Sequence, residues 1–481
     1  MKIKLFGLIA AVMLVGILFS SATPAAAKEP TPIPGTHPII FVHGGAGSGA
    51  QFESQAMRFE SNGYPHEYIY TLEYDSTFTI NTPAAVYAKL DTLIASIQDE
   101  TGAEQVDVLG HSLGTTIMIG GTITLPGTPP VPTVTPGYLN SSAERAANVA
   151  HYVNIDGRTA LALPGTVVGV PVPTLALWAG RGAAGRAIGG ATNVTIPDVT
   201  HVQCATSADS FVEMYKFFTG NDPATKDIVP EPPGQVRLAG RAVLFPLNIG
   251  VPSGTLQIWR VNCNTGARLE DAPEAVYPLS GDGSWGPFAA VGGKCYEFNI
   301  VREDQGDHPS YYEPFIRSDY LIRLLTSGPT GGPSAYMDRS PNHVNLLLGR
   351  NMEFWGNDPG GENDVLKVNG TNVISPLTNP IAKLVNYMFV YDQGADGVSH
   401  LGVPIPYYHA LSFFTGVDLF TPGAYPPNGT VSVALTSRTG GGKTQTINVP
   451  NLASSQVRTI TVMFHDYSQD IDSWPEYVQS K

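Results

Sequence analysis

The stretch Gln105-Val-Asp-Val-Leu-Gly-His-Ser-Leu-Gly-Thr-Thr-Ile-Met-Ile-Gly-Gly121 decides the fold. Val106, Val108 and Leu109 spell a short buried strand. Gly110-His111-Ser112-Leu113-Gly114 is a G-x-S-x-G pentapeptide, and Thr115 to Gly120 continues as the first turns of a small-residue helix. A strand, a sharp turn with serine at its tip and then a helix is the setting of a nucleophile elbow. The serine must adopt a strained backbone conformation. Gly110 and Gly114 let strand and helix pass closely without Cβ clashes.

Upstream, His37-Pro-Ile-Ile-Phe-Val-His43-Gly44-Gly45-Ala46-Gly47-Ser48 begins with an unbroken apolar run, as in a strand buried on both faces. The glycines after it suit a loop whose backbone N–H groups face an oxyanion. Gly45 is one expected donor and Leu113, directly after the serine, the other. Glu67 to Glu73 alternates like a strand. Ala84 to Ile97 spaces Val86, Leu90, Leu93, Ile94 and Ile97 as an amphipathic helix whose stripe is core.

A serine hydroxyl needs a base, and the base needs an acid to fix its tautomer. In an α/β-hydrolase the chain order is serine, acid, histidine. Between Ser112 and Gly220 the only histidines are His151, which opens a strand, and His201, in a loop before the closing helix Phe211 to Phe218. His201 is therefore the expected base. The carboxylates between Ser112 and His201 are Glu144, Asp156 and Asp198. Glu144 falls on a surface helix. Asp156 ends a strand before Gly157 and is preferred. Asp198, three residues before His201, stays a rival. The slot after the Pro173 to Trp178 strand holds Gly180 and Arg181 instead of an acid.

Composition sets the outer bounds. Lys2 and Lys4, the apolar run Leu5 to Phe19 and Ala25-Ala26-Ala27 form an export signal, with cleavage expected near Ala27. The run is too short for a stable membrane span, so a secreted protein, extracellular or periplasmic, is expected. The formal net charge of −14 falls to −16 without Lys2 and Lys4, and excludes a nucleic-acid partner. No organic cofactor, metal or protein partner is implied. The 52 glycines and 40 prolines favour a turn-rich β component. Leu125 to Tyr138, with Pro126, Pro129, Pro130, Pro132 and Pro136, cannot be a long helix; it reads as an apolar flap or a rigid surface loop. Of the cysteines, Cys263 and Cys295 are candidates for a disulfide.

These signals divide the chain into a signal peptide (1–27), an α/β-hydrolase domain with a mostly parallel sheet and flanking helices (28–220), and a Pro-rich linker (221–235). A β-rich sandwich or barrel domain (236–481) follows, divisible near Ser327 to Ser334 into about 236–327 and 335–475. Val236 to Phe245, Thr255 to Val261, Cys295 to Val301, Leu366 to Val368, Val431 to Thr436 and Thr459 to Phe464 read as its strands. Gly441-Gly442-Lys443-Thr444 reads as a hairpin turn, not a phosphate loop. Leu411 to Phe420 (LSFFTGVDLF) suits either a core segment or a surface that grips acyl chains. His308, His343, His400, His409 and His465 read as structural.

The stretches VHGGAGSGAQFESQAMRF with NGYP, VDVLGHSLGT, SSAERAANVAHYVNIDG and THVQCATS continue into ATKDIVP, VNGTNV, DQGADG and SRTGGG. On these the chain resembles the secreted long-chain lipases first known from thermophilic archaea, over nearly its whole mature length. The resemblance implies an α/β-hydrolase domain joined to a C-terminal β-barrel domain. It implies Ser112 as nucleophile, Asp156 as acid and His201 as base; Asp198 falls on a position that is not acidic in that family. One departure matters: no long helical insertion follows YTLEYDSTFTINTP, so the family's lid and its chain-length preference do not carry over. The expected function is a serine hydrolase of carboxylic esters, acting as a lipase on acylglycerols, with a lipid–water interface as its surface. A short-chain, aryl-ester or polyester esterase with an open cleft is the alternative. A β-rich surface- or lipid-binding protein with a secondary hydrolase domain is the alternative of another class.

Overall fold

Ile39–Val42 (β1) is wholly buried, as four apolar residues without alternation require of a strand covered on both faces. A computed structural model of the chain describes residues 35–328, 331–465 and 467; the expected signal peptide lies outside them. After β1 come α1 (Glu53–Ser61), β2 (Ile69–Leu72), α2 (Pro83–Thr101), β3 (Val106–His111), α3 (Leu113–Ile119), β4 (Gly121–Leu125) and β5 (Val131–Thr135). Then follow α4 (Tyr138–Ser141), α5 (Ala143–Ala147), β6 (Val149–Ile155), β7 (Thr174–Ala179), β8 (Thr192–Ile196), α6 (Gln203–Thr206) and α7 (Ala208–Thr219).

Six of these strands form one parallel sheet in the order β2-β1-β3-β6-β7-β8. The chain starts at β1, steps out to β2, and returns on the other side of β1 to place β3. The order reverses between β1 and β3, where open α/β sheets form their crevice at the carboxyl ends of the strands. On one face α2 buries Val86, Leu90, Ile94 and Ile97 against Ile40, Val42 and Val108. Thr82 caps its first turn and Gly102, at φ +70°, ends it. On the other face Phe59 of α1 and Phe211, Met214 and Phe218 of α7 cover Ile39, Phe41 and Leu109.

The Pro-rich run takes the form of a surface hairpin. Its residues lie in the β4–β5 hairpin, seated by a hydrogen bond between the hydroxyls of Tyr87 and Thr135.

Past residue 235, the strands are β9 (Arg237–Phe245), β10 (Ile249–Gly250), β11 (Thr255–Val261), β12 (Ala275–Pro278), β13 (Ser284–Ala289), β14 (Cys295–Arg302), β15 (Gly306–Tyr312) and β16 (Asp319–Ser327). The later ones are β17 (Leu346–Arg350), β18 (Val365–Val368), β19 (Thr371–Asn372), β20 (Tyr387–Tyr391), β21 (His400–Pro404), β22 (Phe414–Asp418), β23 (Thr430–Thr436), β24 (Thr444–Pro450) and β25 (Ile460–Phe464). A nine-stranded sheet, β12-β11-β14-β15-β25-β17-β20-β22-β21, is the backbone of this region. Leu256, Ile258 and Phe298 on one half of it meet Leu238, Trp285 and Leu324 of the sheet built on β9. Leu346, Val390 and Val462 on the other half meet Leu366, Val433 and Val449 of the β19-β18-β23-β24 sheet. Among the described residues no sheet closes on itself, so the region is an open, layered sandwich and not the barrel of the resemblance.

β25 runs parallel between β15 and β17, so strands from both sides of Ser327 share one sheet. Cys263 and Cys295 are disulfide-bonded. Residues 437–443 turn the β23–β24 hairpin, as the glycine run there suggested. Among the described residues no helix is long and apolar enough to cross a membrane.

Where α1 meets β16, Glu53 and Asp319 are buried face to face, with His465 3.6 Å from Glu53 and Glu313 nearby. Burial, countered by hydrogen bonds from Asn351 and Asp319, raises Glu53 to about 8. The folded chain thus keeps a proton that the unfolded chain, with a carboxyl near 4.5, releases. This contribution to stability is complete below the unfolded value and is lost as pH rises through about 8. Glu53→Gln keeps the hydrogen bonding but cannot ionise. Its thermal midpoint should therefore fall less between pH 5 and pH 8 than that of the wild type, measured by calorimetry; equal slopes would remove Glu53 as the source.

Candidate active site

Ser112 stands between β3 and α3 at φ +54°, ψ −118°, a conformation non-glycine residues rarely adopt. The reason is visible at Gly114. A Cβ there would collide with the carbonyl oxygens of Val42 and His43, because α3 crosses directly over the end of β1. Gly44 is similarly confined: its Cβ would lie 3.0 Å from the Cβ of Ser112. Only glycines let the loop after β1 reach the serine.

Neighbouring strands deliver the other groups. Asp156 follows β6, next to β3, at φ +43°. His201 lies in the turn between β8 and α6. The ring N–H at Nδ1 of His201 donates to Asp156 Oδ2 over 2.7 Å. A carboxylate can only accept, which fixes the proton on Nδ1 and leaves Nε2 as the basic nitrogen. The other oxygen, Asp156 Oδ1, accepts from the N–H of Ala179 over 2.8 Å and from the Arg186 guanidinium, which stacks on Trp178. Burial opposes the charge on Asp156. The bonds from His201 and Ala179 and the charge of Arg186 outweigh it and hold the carboxyl at about 2.

The rival acids stand elsewhere. The Asp198 side chain is 77% exposed and pairs with Arg181 over 3.2 Å. Glu144 lies on α5, away from this constellation. Gly45 lines the same cavity as Ser112 and His201, while Leu113 opens α3, where backbone N–H groups have no partner within the helix. The N–H of Ala46 is engaged by Ser76 Oγ at 2.8 Å.

Several residues of this site carry no sequence signal. The N–H at Nε2 of His111 donates to the carbonyl of His201 over 2.9 Å, and its Nδ1 accepts from Gln51 over 2.9 Å. Burial and the neighbouring His201 lower His111 to about 3, so it is a neutral strut. From the β-rich region, Glu353 accepts the N–H groups of Val202 at 2.7 Å and Gln203 at 2.9 Å. Arg438 donates to the carbonyl of Asp198 at 2.6 Å and to Gln203 Oε1 at 2.8 Å while lying over the Trp355 ring. Arg323 donates to the carbonyl of Ala46 at 3.1 Å. Glu73 accepts from the Gly49 N–H at 2.7 Å and meets Asn248 and Arg241. The loops carrying His201 and Gly45 are thus held from the β-rich side.

A cleft brings Gly44, Gly45, Ser112 and His201 together with Phe245, Leu325, Tyr387, Phe413 and Phe414. Within Leu411 to Phe420, β22 is core, and Phe413 and Phe414 line the cleft. No residue of the β4–β5 hairpin lines the cavity. A second, small cavity shares Phe245, Leu325 and Phe414 with the first and continues past Leu347 and Phe389.

An elbow serine at the switch point of a parallel sheet, with a histidine–aspartate pair across the same cleft, is an arrangement suited to nucleophilic acyl transfer. Comparison with known families agrees. Residues 36–122 match the model of the class 2 lipases, 234–329 match the lipase C-terminal domain, and 332–468 match a further C-terminal domain model. The chain is a lipase-type ester hydrolase carrying a class 2 lipase domain and a lipase C-terminal domain. Among solved structures it is similar to a CIB-like hydrolase from Thermoplasma acidophilum, at 12% identity over 38% of this chain and 86% of the other, TM-score 0.25. It is also similar to the Bacillus licheniformis lipase BlEst2 in its propeptide form, at 11% identity over 87% and 94%, TM-score 0.24. The phospholipase PlaB from Legionella pneumophila, in complex with thio-NAD, matches at 9% identity over 89% and 93%, TM-score 0.22. None of the three superposes well enough to define the fold beyond this chain's own sheets.

If Glu353 positions the His201 loop, Glu353→Gln should lower kcat for ester hydrolysis about ten- to a hundred-fold with little change in KM. Glu353→Asp should recover part of it. A loss confined to KM would assign Glu353 to substrate binding instead.

Proposed function

We propose that the chain is an exported lipase that cleaves long-chain acyl esters through Ser112, His201 and Asp156. The observation that carries the reading is the 2.7 Å bond from His201 Nδ1 to Asp156, with His201 and Ser112 on the wall of one cavity. In the reaction, His201 Nε2 takes the Ser112 hydroxyl proton as Oγ attacks the ester carbonyl carbon. The carbonyl π pair moves onto oxygen, where the N–H groups of Gly45 and Leu113 stabilise it; loss of one such donor costs about 3 kcal/mol in other hydrolases. The tetrahedral adduct collapses, the alcohol leaves with the proton from His201, and an acyl-Ser112 remains. Water, deprotonated by His201, attacks this ester and releases the acid. Asp156 holds the tautomer and stabilises the imidazolium at each stage.

The substrate class follows from the walls. Phe414 and Leu325, shared by both cavities, offer an acyl chain an apolar seat that continues past Leu347 and Phe389, between walls that also carry Thr326, Ser327, Thr459 and Thr461. His308 on that path is lowered to about 4 by burial, and so adds no charge at neutral pH. The division into a catalytic domain (28–220), a linker (221–235) and a β-rich region (236–481) belongs to the same proposal, with the β-rich region forming the acyl-binding wall.

Hydrolysis of p-nitrophenyl esters from butyrate to palmitate tests this. Ser112→Ala should lose about 10⁴-fold or more in kcat across the series. The wild type should favour the longer chains, and Leu325→Trp should move the preference towards butyrate. Activity confined to short chains in the wild type would make the protein a short-chain esterase, and full activity in Ser112→Ala would overturn the nucleophile.

A further inference from the structure

At the opposite end of the parallel sheet, His37, Asp107 and His151 converge. The register pairs Asp107 of β3 with Ile39 of β1 on one side and His151 of β6 on the other. His37 lies two residues before Ile39, so with strand periodicity it shares their face. One ligand atom from each of the three side chains lies within 4.8 Å of the others. His151 Nδ1 is 2.8 Å from Asp107 Oδ1. The other oxygen, Asp107 Oδ2, is buried without a hydrogen-bond partner, in a residue with 0% exposure. A buried carboxylate oxygen left without a donor is costly. Nothing in the hydrolytic reaction uses it: Asp107 starts the strand that ends at Ser112, about 16 Å away at 3.3 Å per residue.

We infer that His37, Asp107 and His151 form a structural site for a divalent transition-metal ion, zinc being the best fit. Two borderline imidazole donors favour Zn²⁺ over Ca²⁺ or Mg²⁺, and a carboxylate oxygen is an accepted third zinc ligand. Zinc–ligand bonds of about 2.0–2.2 Å require the donors to draw closer than they stand. The half-buried His37 ring, on the segment entering β1, is the one placed to swing inward. The ion would satisfy Asp107 Oδ2 and displace the His151–Asp107 hydrogen bond, with His151 carrying its proton on Nε2. Half-exposed His37 and His151 leave room for water as a fourth ligand. The site would tie the start of β1 to β3 and β6 and stabilise the fold without entering the chemistry.

The test uses the full chain, stripped with a chelator and titrated with ZnCl₂. Isothermal titration should give one high-affinity zinc per chain, and the thermal midpoint should rise by several degrees. His37→Ala, a change at a half-buried position before β1, should fold and lose both effects; Asp107→Asn should lose them too if it folds. Anomalous diffraction at the zinc edge should place the ion between the three side chains. Absence of stoichiometric binding in the wild type would overturn the site, as would unchanged binding in His37→Ala or an ion found elsewhere. In that case Asp107 and His151 form only a hydrogen-bonded pair.

Discussion

The backbone at Ser112 is the constraint from which the rest of the structure follows. Its conformation costs on the order of 1–3 kcal/mol and persists only because its surroundings leave no alternative. Its N–H is fixed to the carbonyl of Ile155 at 3.1 Å, and its own carbonyl is held by the Thr115 hydroxyl at 2.7 Å. The close crossing of α3 over β1 needs Gly114, and that crossing brings the Gly44-Gly45 loop beside the serine. Asp156 then comes from the strand on the other side of β3. Three adjacent strands of one sheet thus supply the serine, the carboxylate and the Gly44-Gly45 loop, with their relative positions set by parallel register.

The histidine has no such strand neighbour, and the molecule solves this differently. The loop after β8 presents the N–H groups of Val202 and Gln203 to a buried environment, where unpaired donors are costly. Glu353 accepts both, and Arg438 holds the Asp198 carbonyl just before them. The loop after β1 is fastened in the same way by Arg323, and through Glu73 by Asn248 and Arg241. Burial opposes the charge on Glu73, but His43, Arg241, Asn248 and the Gly49 N–H together hold it below the usual carboxylate range. The β-rich region therefore holds the loops that carry His201 and Gly45 and also forms a wall of the cleft. Its charges are bound to backbone groups at fixed angles, which positions a loop more firmly than apolar contact does.

The parts legible in the sequence are those written in local pattern. The elbow, the apolar run of β1, the stripe of α2 and the strand-end Asp156-Gly157 each depend on neighbours within a few residues, and all stand where their pattern places them. The rivalry of Asp156 and Asp198 was also legible in kind: three residues of loop turn Asp198 outward to Arg181, while a strand end aims Asp156 at His201. What was hidden depends on long-range pairing. Glu353 lies 151 residues from Val202, and no local rule marks it. The Pro-rich run near Pro130 read as a loop or flap because proline weakens strands in general. An isolated two-stranded hairpin tolerates it, since only one edge of each strand is paired. The barrel expectation failed for a similar reason: strand count and spacing do not say whether the last strand returns to the first. Here β25 returns to the middle of its sheet instead.

β3 carries the two least favourable features of the hydrolase sheet within six residues, a buried carboxylate near its start and a strained serine just past its end. Such a strand is kept by what surrounds it. At the serine end the compensation is the hydrogen bonding and glycine packing that the reaction also needs. At the Asp107 end the chemistry gives no reason for a carboxylate, since Val106 and Val108 beside it show that the strand is otherwise apolar. Burial raises Asp107, countered chiefly by its hydrogen bond with His151. A hydrogen bond to one oxygen leaves the second uncompensated, whereas a cation shared with His37 and His151 satisfies both and joins three strands at the end where the chain enters the sheet. Each terminus of β3 then has its own source of order, with the loops of the β-rich region at one and the imidazoles of His37, before β1, and His151, in β6, at the other.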